Sequence, residues 1–369
     1  MTIQLLMNRK SFFPAEWHPQ SAIQLTWPHE ATDWNGYLDD ICKTYVEMAD
    51  AITQHERLVV VSPSTDDVKA QLSKKLSPEQ LLRVIYHQCP TNDTWARDHG
   101  FLTLVDDTQE PTLLDFRFNG WGEKFPSILD NAINRSLYAM RAITGRYENH
   151  NDFVLEGGSI ESDGRGTVFT TKSCLLAPNR NQPRSQGQIE QCLKDYFHCE
   201  RVVWIDYGHL EGDDTDGHID TLVRIAPDDT LLYVACSDKN DSHYKDLKKM
   251  EQQLQLLKTI DGKAYRLLPL PLPKAIYDGE ERLPATYANF VVLNEAVLCP
   301  TYGQQELDRE AMATLGKAFP GREIIPIDSL TVIRQHGSLH CCTMQFPIEV
   351  NVSGVREVKQ LQDKRKNKV

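Results

Sequence analysis

The sequence lacks any run of eighteen or more apolar residues, which excludes a membrane-spanning helix. It also lacks a secretory signal, because its two early basic residues follow a very short apolar run instead of preceding a long one. No Cys-x-x-Cys pair occurs among the nine cysteines, and an odd number cannot all pair in disulfides. These absences predict a cytoplasmic chain with reduced thiols.

Basic residues are also scarce, with 40 Lys and Arg against 52 Asp and Glu and a net charge of -12. The electrostatic field of this negative charge opposes binding to nucleic-acid phosphates and favours a small cationic ligand. The 369 residues are about twice a typical domain, and 40% hydrophobic with 25% charged residues is a globular composition. Fibrous and disordered classes are therefore excluded.

Short β-rich runs alternate with helical stretches along the chain. Helices are predicted at 34–55, 65–76, 186–197, 244–259 and 305–319. Strands are predicted at 22–27, 58–61, 84–87, 201–205, 265–268 and 323–327, and hairpins at 159–171, 218–236 and 290–299. Paired strands, a helix and a strand thus recur, which predicts repeated α/β units packed around one centre. An open doubly wound sheet is the alternative.

Nothing in the sequence has the character of a domain linker. The proline-rich residues 269–273 form a segment short enough for a surface connection. Residues 356–369 carry six basic and two acidic side chains with few apolar ones, which is typical of a disordered end. We therefore expect a single domain over residues 1–355 and a basic tail over 356–369.

The most acidic segment, residues 211–220, combines several carboxylates with His218. A divalent-metal site is one interpretation, but the segment lacks the calcium-loop pattern and a nearby second histidine. A solvated turn is another. His218 and Asp220 lie two positions apart at the start of a predicted strand, which would direct both side chains to one side. A general acid/base and a carboxylate would then share one surface.

Two further polar segments lie near predicted strand ends. Residues 92–100 contain Trp95, Arg97 and Asp98, and a surface loop with Arg97 paired to acids is the plainer interpretation. In residues 154–158, Glu156 precedes two glycines that would allow another group to approach closely. Each segment alone is a weak signal.

The last candidate segment is 335–343, where Cys341 follows His340. A free cysteine is most often a small buried hydrophobe. Combined with a histidine and three carboxylates, however, a thiolate nucleophile suits a planar cationic electrophile such as a guanidinium, which carboxylates bind through paired hydrogen bonds. A papain-like peptidase needs no such acids, and the signature around its nucleophile is missing.

Together these segments resemble the agmatine deiminase family of the guanidino-group-modifying superfamily, nearly end to end. The matching segments are residues 13–17 (FPAEW), 95–100 (WARDHG), 156–160 (EGGSI), 179–181 (NRN), 213–220 (DDTDGHID), 287–290 (YANF) and 340–341 (HC). Several motifs in the right order are far more specific than any one of them.

This resemblance implies a five-bladed α/β propeller, the pentein fold, with ββαβ-like units about a pseudo-fivefold axis and the active site in the central channel. It implies that Cys341 is the nucleophile, His218 the general acid/base, and that Asp98, Glu156 and Asp220 hold the guanidinium. Trp95 would border the substrate's aliphatic chain. Asp214 is a candidate for its far amine, although the sequence does not say which carboxylate reaches it. No metal or organic cofactor is implied.

The implied reaction is hydrolysis of agmatine to N-carbamoylputrescine and ammonia through a covalent thiouronium, as a step in putrescine and polyamine biosynthesis. The chain departs from the family at residues 335–338, where QHGS replaces the usual GGGN, so His336 and Ser338 would reshape the channel mouth. Deiminases of free or peptidyl arginine, an amidinotransferase, and a catalytically silent binding protein remain alternatives. A homo-oligomer is also left open, because members of the family often form dimers or larger assemblies.

Overall fold

The computed structural model describes residues 11–106 and 110–353 of the chain. The predicted basic tail, 356–369, lies outside the described residues. Within them, no helix is both long enough and apolar enough to cross a membrane.

The described residues form short strands connected by helices and loops. The strands are β1 (Gln20–Thr26), β2 (Arg57–Ser62), β3 (Val84–Gln88), β4 (Leu102–Leu104), β5 (Thr112–Arg117), β6 (Ile143–Thr144), β7 (Arg146–Val154), β8 (Ile160–Ser162), β9 (Thr167–Thr171), β10 (Arg201–Ile205), β11 (Val223–Ala226), β12 (Thr230–Ala235), β13 (Arg266–Pro271), β14 (Tyr277–Asp278), β15 (Glu281–Arg282), β16 (Val291–Val292), β17 (Ala296–Thr301), β18 (Glu323–Asp328), β19 (Thr343–Pro347) and β20 (Asn351–Val352). The α-helices are α1 (Leu38–His55), α2 (Thr65–Leu72), α3 (Pro78–Leu81), α4 (Ala96–His99), α5 (Gly120–Glu123), α6 (Ile133–Ala139), α7 (Lys172–Leu175), α8 (Gln186–Phe197), α9 (Tyr244–Leu256) and α10 (Gln305–Ala318). Single 3₁₀ turns lie at Asn35–Tyr37, Asp130–Ala132, Gly157–Ser159, Ile219–Thr221 and Val332–Gln335.

Five sheets in the described residues share one hydrogen-bonding pattern, in which an antiparallel strand is followed by a parallel pair; in the first sheet β3 adds a third parallel strand. Their orders are β19-β1-β2-β3, β4-β5-β7, β8-β9-β10, β11-β12-β13 and β16-β17-β18. A helix connects the parallel strands in each: α1, α6, α8, α9 and α10 in that order. The recurring ββαβ unit is therefore confirmed, and one continuous doubly wound sheet is not observed. The arrangement of these sheets about a fivefold axis stays a prediction.

The connecting helices are held by one apolar face. In α1, Ile41, Tyr45, Met48 and Ile52 recur every three or four residues, and none is exposed to solvent. The N-terminus of α8 is fixed by a capping box, in which Ser185 and Gln188 exchange hydrogen bonds between side chain and backbone. This capping box explains why α8 begins where its sequence predicts.

Two segments differ from their predicted structure. Residues 218–222 were expected in a strand, but Ile219–Thr221 form a 3₁₀ turn flanked by His218 and Leu222, and β11 begins at Val223. The backbone N–H groups of Gly217 and His218 are bound by the side chains of Asp213 and Thr215, at 2.6 and 2.9 Å, so they cannot pair with a neighbouring strand. The proline-rich segment, expected as a loop, contributes Pro269 and Pro271 to β13. This is tolerated because β13 is an edge strand of its sheet.

Candidate active site

A cavity of about 110 Å³ lies where loops from several of the ββαβ units meet. It is lined by Asp33, Asp93, Trp95, Asp98, Trp121, Phe125, Asp214, Thr215, Gln335, His336, Gly337 and Cys341. Four of the residues predicted from the sequence therefore lie on its wall: Trp95, Asp98, Asp214 and Cys341. The remaining three, Glu156, His218 and Asp220, are fully buried next to this group.

Cys341 lies in the turn that leads into β19. Its backbone N–H and that of His340 both donate to Asn289 Oδ1, at 3.2 and 2.9 Å, and its carbonyl accepts from Arg97 N at 3.1 Å. The thiol Sγ is 3.7 Å from Asp220 Oδ2. Burial, followed by the Asp220 and Asp98 carboxylates, raises the pKa of Cys341 well above its usual value. The unliganded site therefore holds a neutral thiol, which a cationic ligand would help to ionise.

His218 occupies the start of the 3₁₀ turn and is completely buried. Neither ring nitrogen has a hydrogen-bond partner in the described part of the chain, and Nδ1 is 3.7 Å from Asp98 Oδ1. Burial alone would lower the pKa of His218, but the facing Asp98 carboxylate, Cys174 and Asp220 raise it well above its usual value. These neighbours therefore favour the protonated, proton-donating form of the imidazole.

Asp98 is fixed at both carboxylate oxygens. Oδ1 accepts from Gly158 N at 3.0 Å, and Oδ2 accepts from Trp121 Nε1 at 2.9 Å. Burial raises the pKa of Asp98 to about 6, with Asp220 and Glu156 adding to the rise and His218 opposing it. Asp98, which lines the cavity together with Cys341, therefore changes charge within the pH range over which enzymes are assayed.

Asp220 has one bound and one free oxygen. Oδ2 lies 2.7 Å from His340 Nδ1, whereas Oδ1 is buried with no hydrogen-bond partner among residues 11–106 and 110–353. Burial opposes the carboxylate, but the hydrogen bond and charge of His340, with His218 and Arg224, lower the pKa of Asp220 below its usual value. Asp220 is consequently an ionised acceptor with a lone oxygen available to a ligand.

Glu156 has a different environment from the other two predicted acids. Its Oε1 accepts from Arg180 Nε at 3.0 Å, and both side chains are fully buried. Arg180 Nη1 also binds Asp216 Oδ2 at 2.6 Å, which connects Glu156 to the loop before His218. Ligating atoms of Glu156, Cys174 and His218 lie within 4.8 Å of one another. A metal ion there would lie beside the Arg180 charge, which disfavours a cation, so we assign no metal to this cluster.

The outer wall of the cavity is aromatic and acidic. The rings of Trp95 and Trp121 meet edge to face with centroids 6.4 Å apart. Burial raises the pKa of Asp93 to about 6 and raises that of Asp214 above its usual value. His336 Nδ1 is 2.7 Å from the Gly212 carbonyl and 3.8 Å from Asp214 Oδ2. This wall fits a short apolar chain that ends in a cationic group.

Several residues of the site were missed by the sequence interpretation. Trp121 has a left-handed backbone (φ 55°) that places its indole on Asp98, and no local pattern predicts that conformation. Asp33 lies far from every motif in the sequence. Asp93, by contrast, lies in the polar stretch 92–100, and Asn289 lies within the YANF motif, so both could have been assigned from those motifs.

Comparison with known proteins places this site in a family. The family model described as Porphyromonas-type peptidyl-arginine deiminase matches residues 12–347. A curated protein of Legionella pneumophila (strain Paris), named "Putative agmatine deiminase", is 34% identical over 339 residues, covering 91% of this chain and 95% of that protein.

Solved structures give the same result. A variant of C. jejuni agmatine deiminase with substrate bound is 37% identical, with a TM-score of 0.84 and coverage of 92% of this chain and 96% of that one. A Porphyromonas gingivalis structure described as a "Putative Arginine Deiminase" is 48% identical, with a TM-score of 0.87 and coverage of 92% and 99%. The α/β fold and these matches define the class of the chain, that of the deiminases. Within this class it belongs to the Porphyromonas-type peptidyl-arginine deiminase family, which confirms the predicted relationship to agmatine deiminases.

Proposed function

We propose that the protein hydrolyses agmatine to N-carbamoylputrescine and ammonia, through a covalent intermediate on Cys341. The observation that carries this proposal is the charge of the cavity wall. Besides Asp98 beside the thiol, Asp33, Asp93 and Asp214 line the cavity, and no Lys or Arg of the described residues does so. Agmatine has a guanidinium at one end and an ammonium at the other, so carboxylates suit both ends.

The same wall argues against free arginine, because its α-carboxylate would face these acids without a cationic partner. The relatives named agmatine deiminases support the agmatine assignment. Deimination of peptidyl arginine stays the second candidate, since the matched family model carries that description. An amidinotransferase would differ only in passing the amidino group to an amine in place of water.

In the first half of the proposed reaction, Asp98 and Asp220 hold the guanidinium, and its positive charge favours ionisation of the Cys341 thiol. The thiol proton passes to solvent, and Sγ attacks the central carbon and forms a C–S bond. His218 then protonates one nitrogen, the C–N bond breaks, and ammonia leaves. The enzyme retains the carbon as an S-alkylthiouronium.

In the second half, His218 accepts a proton from water as the oxygen attacks the same carbon. The C–S bond breaks, the proton of the added hydroxyl group passes to the leaving sulfur and regenerates the thiol, and the ureido product leaves. Through Arg180, Glu156 holds the loop that precedes His218. We assign Glu156 this role in addition to its predicted contact with the guanidinium. The sum is agmatine plus water giving N-carbamoylputrescine plus ammonia, with no redox step and no cofactor.

Several features of this proposal extend beyond the chemistry. We expect the five sheets to surround a pseudo-fivefold axis, with Cys341 near the central channel. A cytoplasmic location and a role in putrescine biosynthesis accompany the agmatine assignment.

The test is ammonia release from agmatine, free arginine and a blocked arginyl peptide in parallel, with chelator present and the Cys341→Ala protein as control. Turnover of agmatine alone would support the proposal. Turnover of arginine or the peptide instead would keep the chemistry and overturn the substrate. Silence on all three would leave the amidinotransferase and binding-protein alternatives.

A further inference from the structure

A buried chain of polar contacts runs from Asp220 away from the cavity. His340 Nδ1 lies 2.7 Å from Asp220 Oδ2, and His340 Nε2 lies 2.6 Å from Glu16 Oε1. His340 is 1% exposed and directly precedes the proposed nucleophile. The motif around Glu16 has no role in the proposed reaction, so this contact gives it a connection to the site.

Both contacts of His340 are too short for two facing lone pairs. Each nitrogen and oxygen must therefore share a proton, and Asp220, His340 and Glu16 together hold two protons. One oxygen of Asp220 is thereby fixed. The other, Oδ1, is buried without a partner among the described residues, so a guanidinium can bind it without displacing His340.

Two arginines compensate the charge of this chain. Arg97 Nη1 is 3.1 Å from Glu16 Oε1, and Arg224 pairs with both Glu16 and Glu161. Arg224 also donates to the carbonyls of Ala288 and Phe290, at 3.0 and 2.8 Å. With both shared protons on His340, the carboxylates of Glu16, Glu161 and Asp220 face the cations Arg97, Arg224 and His340, so the charges of the network balance. Burial, Arg224 and Arg97 lower the pKa of His340, and the two carboxylates that it contacts oppose this shift.

We propose that His340, oriented by Glu16, is a positioning residue that holds Asp220 Oδ2, so that Oδ1 is presented, ionised, to the substrate guanidinium. This inference rests on the proposed function only in taking a guanidinium as the ligand. His340 itself touches neither the cavity nor the reacting atoms, so it acts through Asp220.

The groups that face this pair determine how the site responds to pH. Asp220 faces His340, His218, Arg224, Asp98 and Cys341. His340 faces Glu16, Arg224, Arg97 and Asp220. Because the His340 contact is the leading cause that lowers the pKa of Asp220 against burial, its loss should raise that pKa.

Two substitutions separate the two contacts of His340. The amide nitrogen of asparagine can occupy the position of Nδ1, and that of glutamine the position of Nε2. His340→Asn therefore keeps a donor to Asp220, whereas His340→Gln keeps only the contact to Glu16. The control is His18→Gln, because His18 Nε2 also contacts a carboxylate, Glu349 Oε1 at 3.0 Å, and does not line the cavity.

We expect His340→Gln to lower kcat/KM for agmatine by about 10-fold or more, the worth of a hydrogen bond to a charged group, and His340→Asn to retain most of it. In His340→Gln, the acid limb of the pH profile of kcat/KM should move to higher pH and become steeper, because Asp98 and Asp220 must then both lose protons. A purely structural role would affect both variants alike and leave the pH profile unmoved. Equal losses with an unmoved limb would overturn the inference.

A binding experiment separates this inference from the proposed reaction. Calorimetric titration of methylguanidine against the Cys341→Ala protein needs neither turnover nor the far amine. Suppose that agmatine is not turned over, while the pH dependence of methylguanidine affinity still shifts as expected when His340→Gln is added to the Cys341→Ala protein. In that case the positioning role stands and the proposed reaction is wrong. If methylguanidine does not bind, both fail. If the His340 variants do not fold, Glu16→Gln is the test. It must shift the acid limb of the pH profile in the same direction by a smaller amount, and no shift would overturn the positioning role of His340.

Discussion

Gly158 lies directly against His218, so that a Cβ atom placed on Gly158 would be 2.7 Å from His218 Nδ1. The same atom would lie 2.9 Å from Asp98 Oδ1 and 3.0 Å from Asp220 Oδ2. His218, Asp98 and Asp220 therefore converge on the space that a side chain at position 158 would occupy, and only glycine leaves this space free. The EGG motif is explained by this close approach, not by a need for left-handed backbone.

Gly158→Ala should consequently lower activity strongly without unfolding the protein. Displacing His218 or either aspartate by a few tenths of an ångström to one ångström should lower kcat/KM by about 100-fold. Steady-state kinetics with a thermal melt would measure both effects. The matched control is Gly187→Ala in α8, where an added Cβ meets nothing within 4 Å. Near-normal turnover of Gly158→Ala would contradict the proposed convergence.

Cys341→Ser should abolish turnover and leave binding of the guanidinium largely intact. The neutral hydroxyl is a much weaker nucleophile, so we expect a loss of at least about 10⁴-fold in kcat. Cys342→Ala is the matched control, because Cys342 is equally buried but does not line the cavity. Mass spectrometry of acid-quenched protein should show the covalent adduct only when Cys341 is present. An adduct that survives in Cys341→Ser would assign the nucleophile elsewhere.

The acid limb of kcat/KM should lie near pH 6, because burial raises the pKa of Asp98 to about 6 and its carboxylate holds the guanidinium. Activity should rise as pH increases through this value. The effect on stability has the opposite sign. Because the folded pKa lies above the ordinary value of 3.8, Asp98 binds its proton more tightly in the folded state, so its contribution to stability falls as pH rises from about 4 to 6.

Denaturant unfolding measured beside the pH profile distinguishes these two effects. An acid limb near pH 6 in a fully folded protein would support titration of Asp98. A limb that coincides with unfolding would contradict it.

Local signals predict much of the fold. Residues 186–197 carry their own cap and apolar face, so the helix matches the structure residue for residue. The ββαβ recurrence is likewise visible in hairpin and helix spacing. The site is less predictable, because its groups meet across sheets. His218 and Asp220 were expected on one face of a strand, yet they come together through a 3₁₀ turn fixed by side chains of their own loop.

Contacts between distant segments could not be predicted at all. The pairing of Glu156 with Arg180, and of His340 with Glu16, joins motifs that the sequence presents separately. The identity of each residue signals chemistry, but only the packing decides which partner it receives. This is why Asp98, Glu156 and Asp220 have the same predicted role in the sequence but three different environments in the structure.

The substrate's far amine gives the last prediction. Asp214 lines the outer cavity, and its carboxylate is less exposed than that of a free surface residue, so it should attract the ammonium of agmatine. Asp214→Asn should raise KM for agmatine by about 2- to 5-fold with little change in kcat, as expected for a partly exposed ion pair. Butylguanidine lacks the amine, so its KM should not change in the variant.

Matched variants decide whether Asp214 is the acid responsible. Asp33→Asn and Asp93→Asn test the two other outer carboxylates, and Asp152→Asn serves as the control because Asp152 is exposed and away from the cavity wall. Because only the partner of the ammonium should discriminate agmatine from butylguanidine, the ratio of the two KM values identifies it without reference to overall activity. An unchanged ratio in Asp214→Asn, with a changed ratio in Asp33→Asn or Asp93→Asn, would move the amine site to that residue.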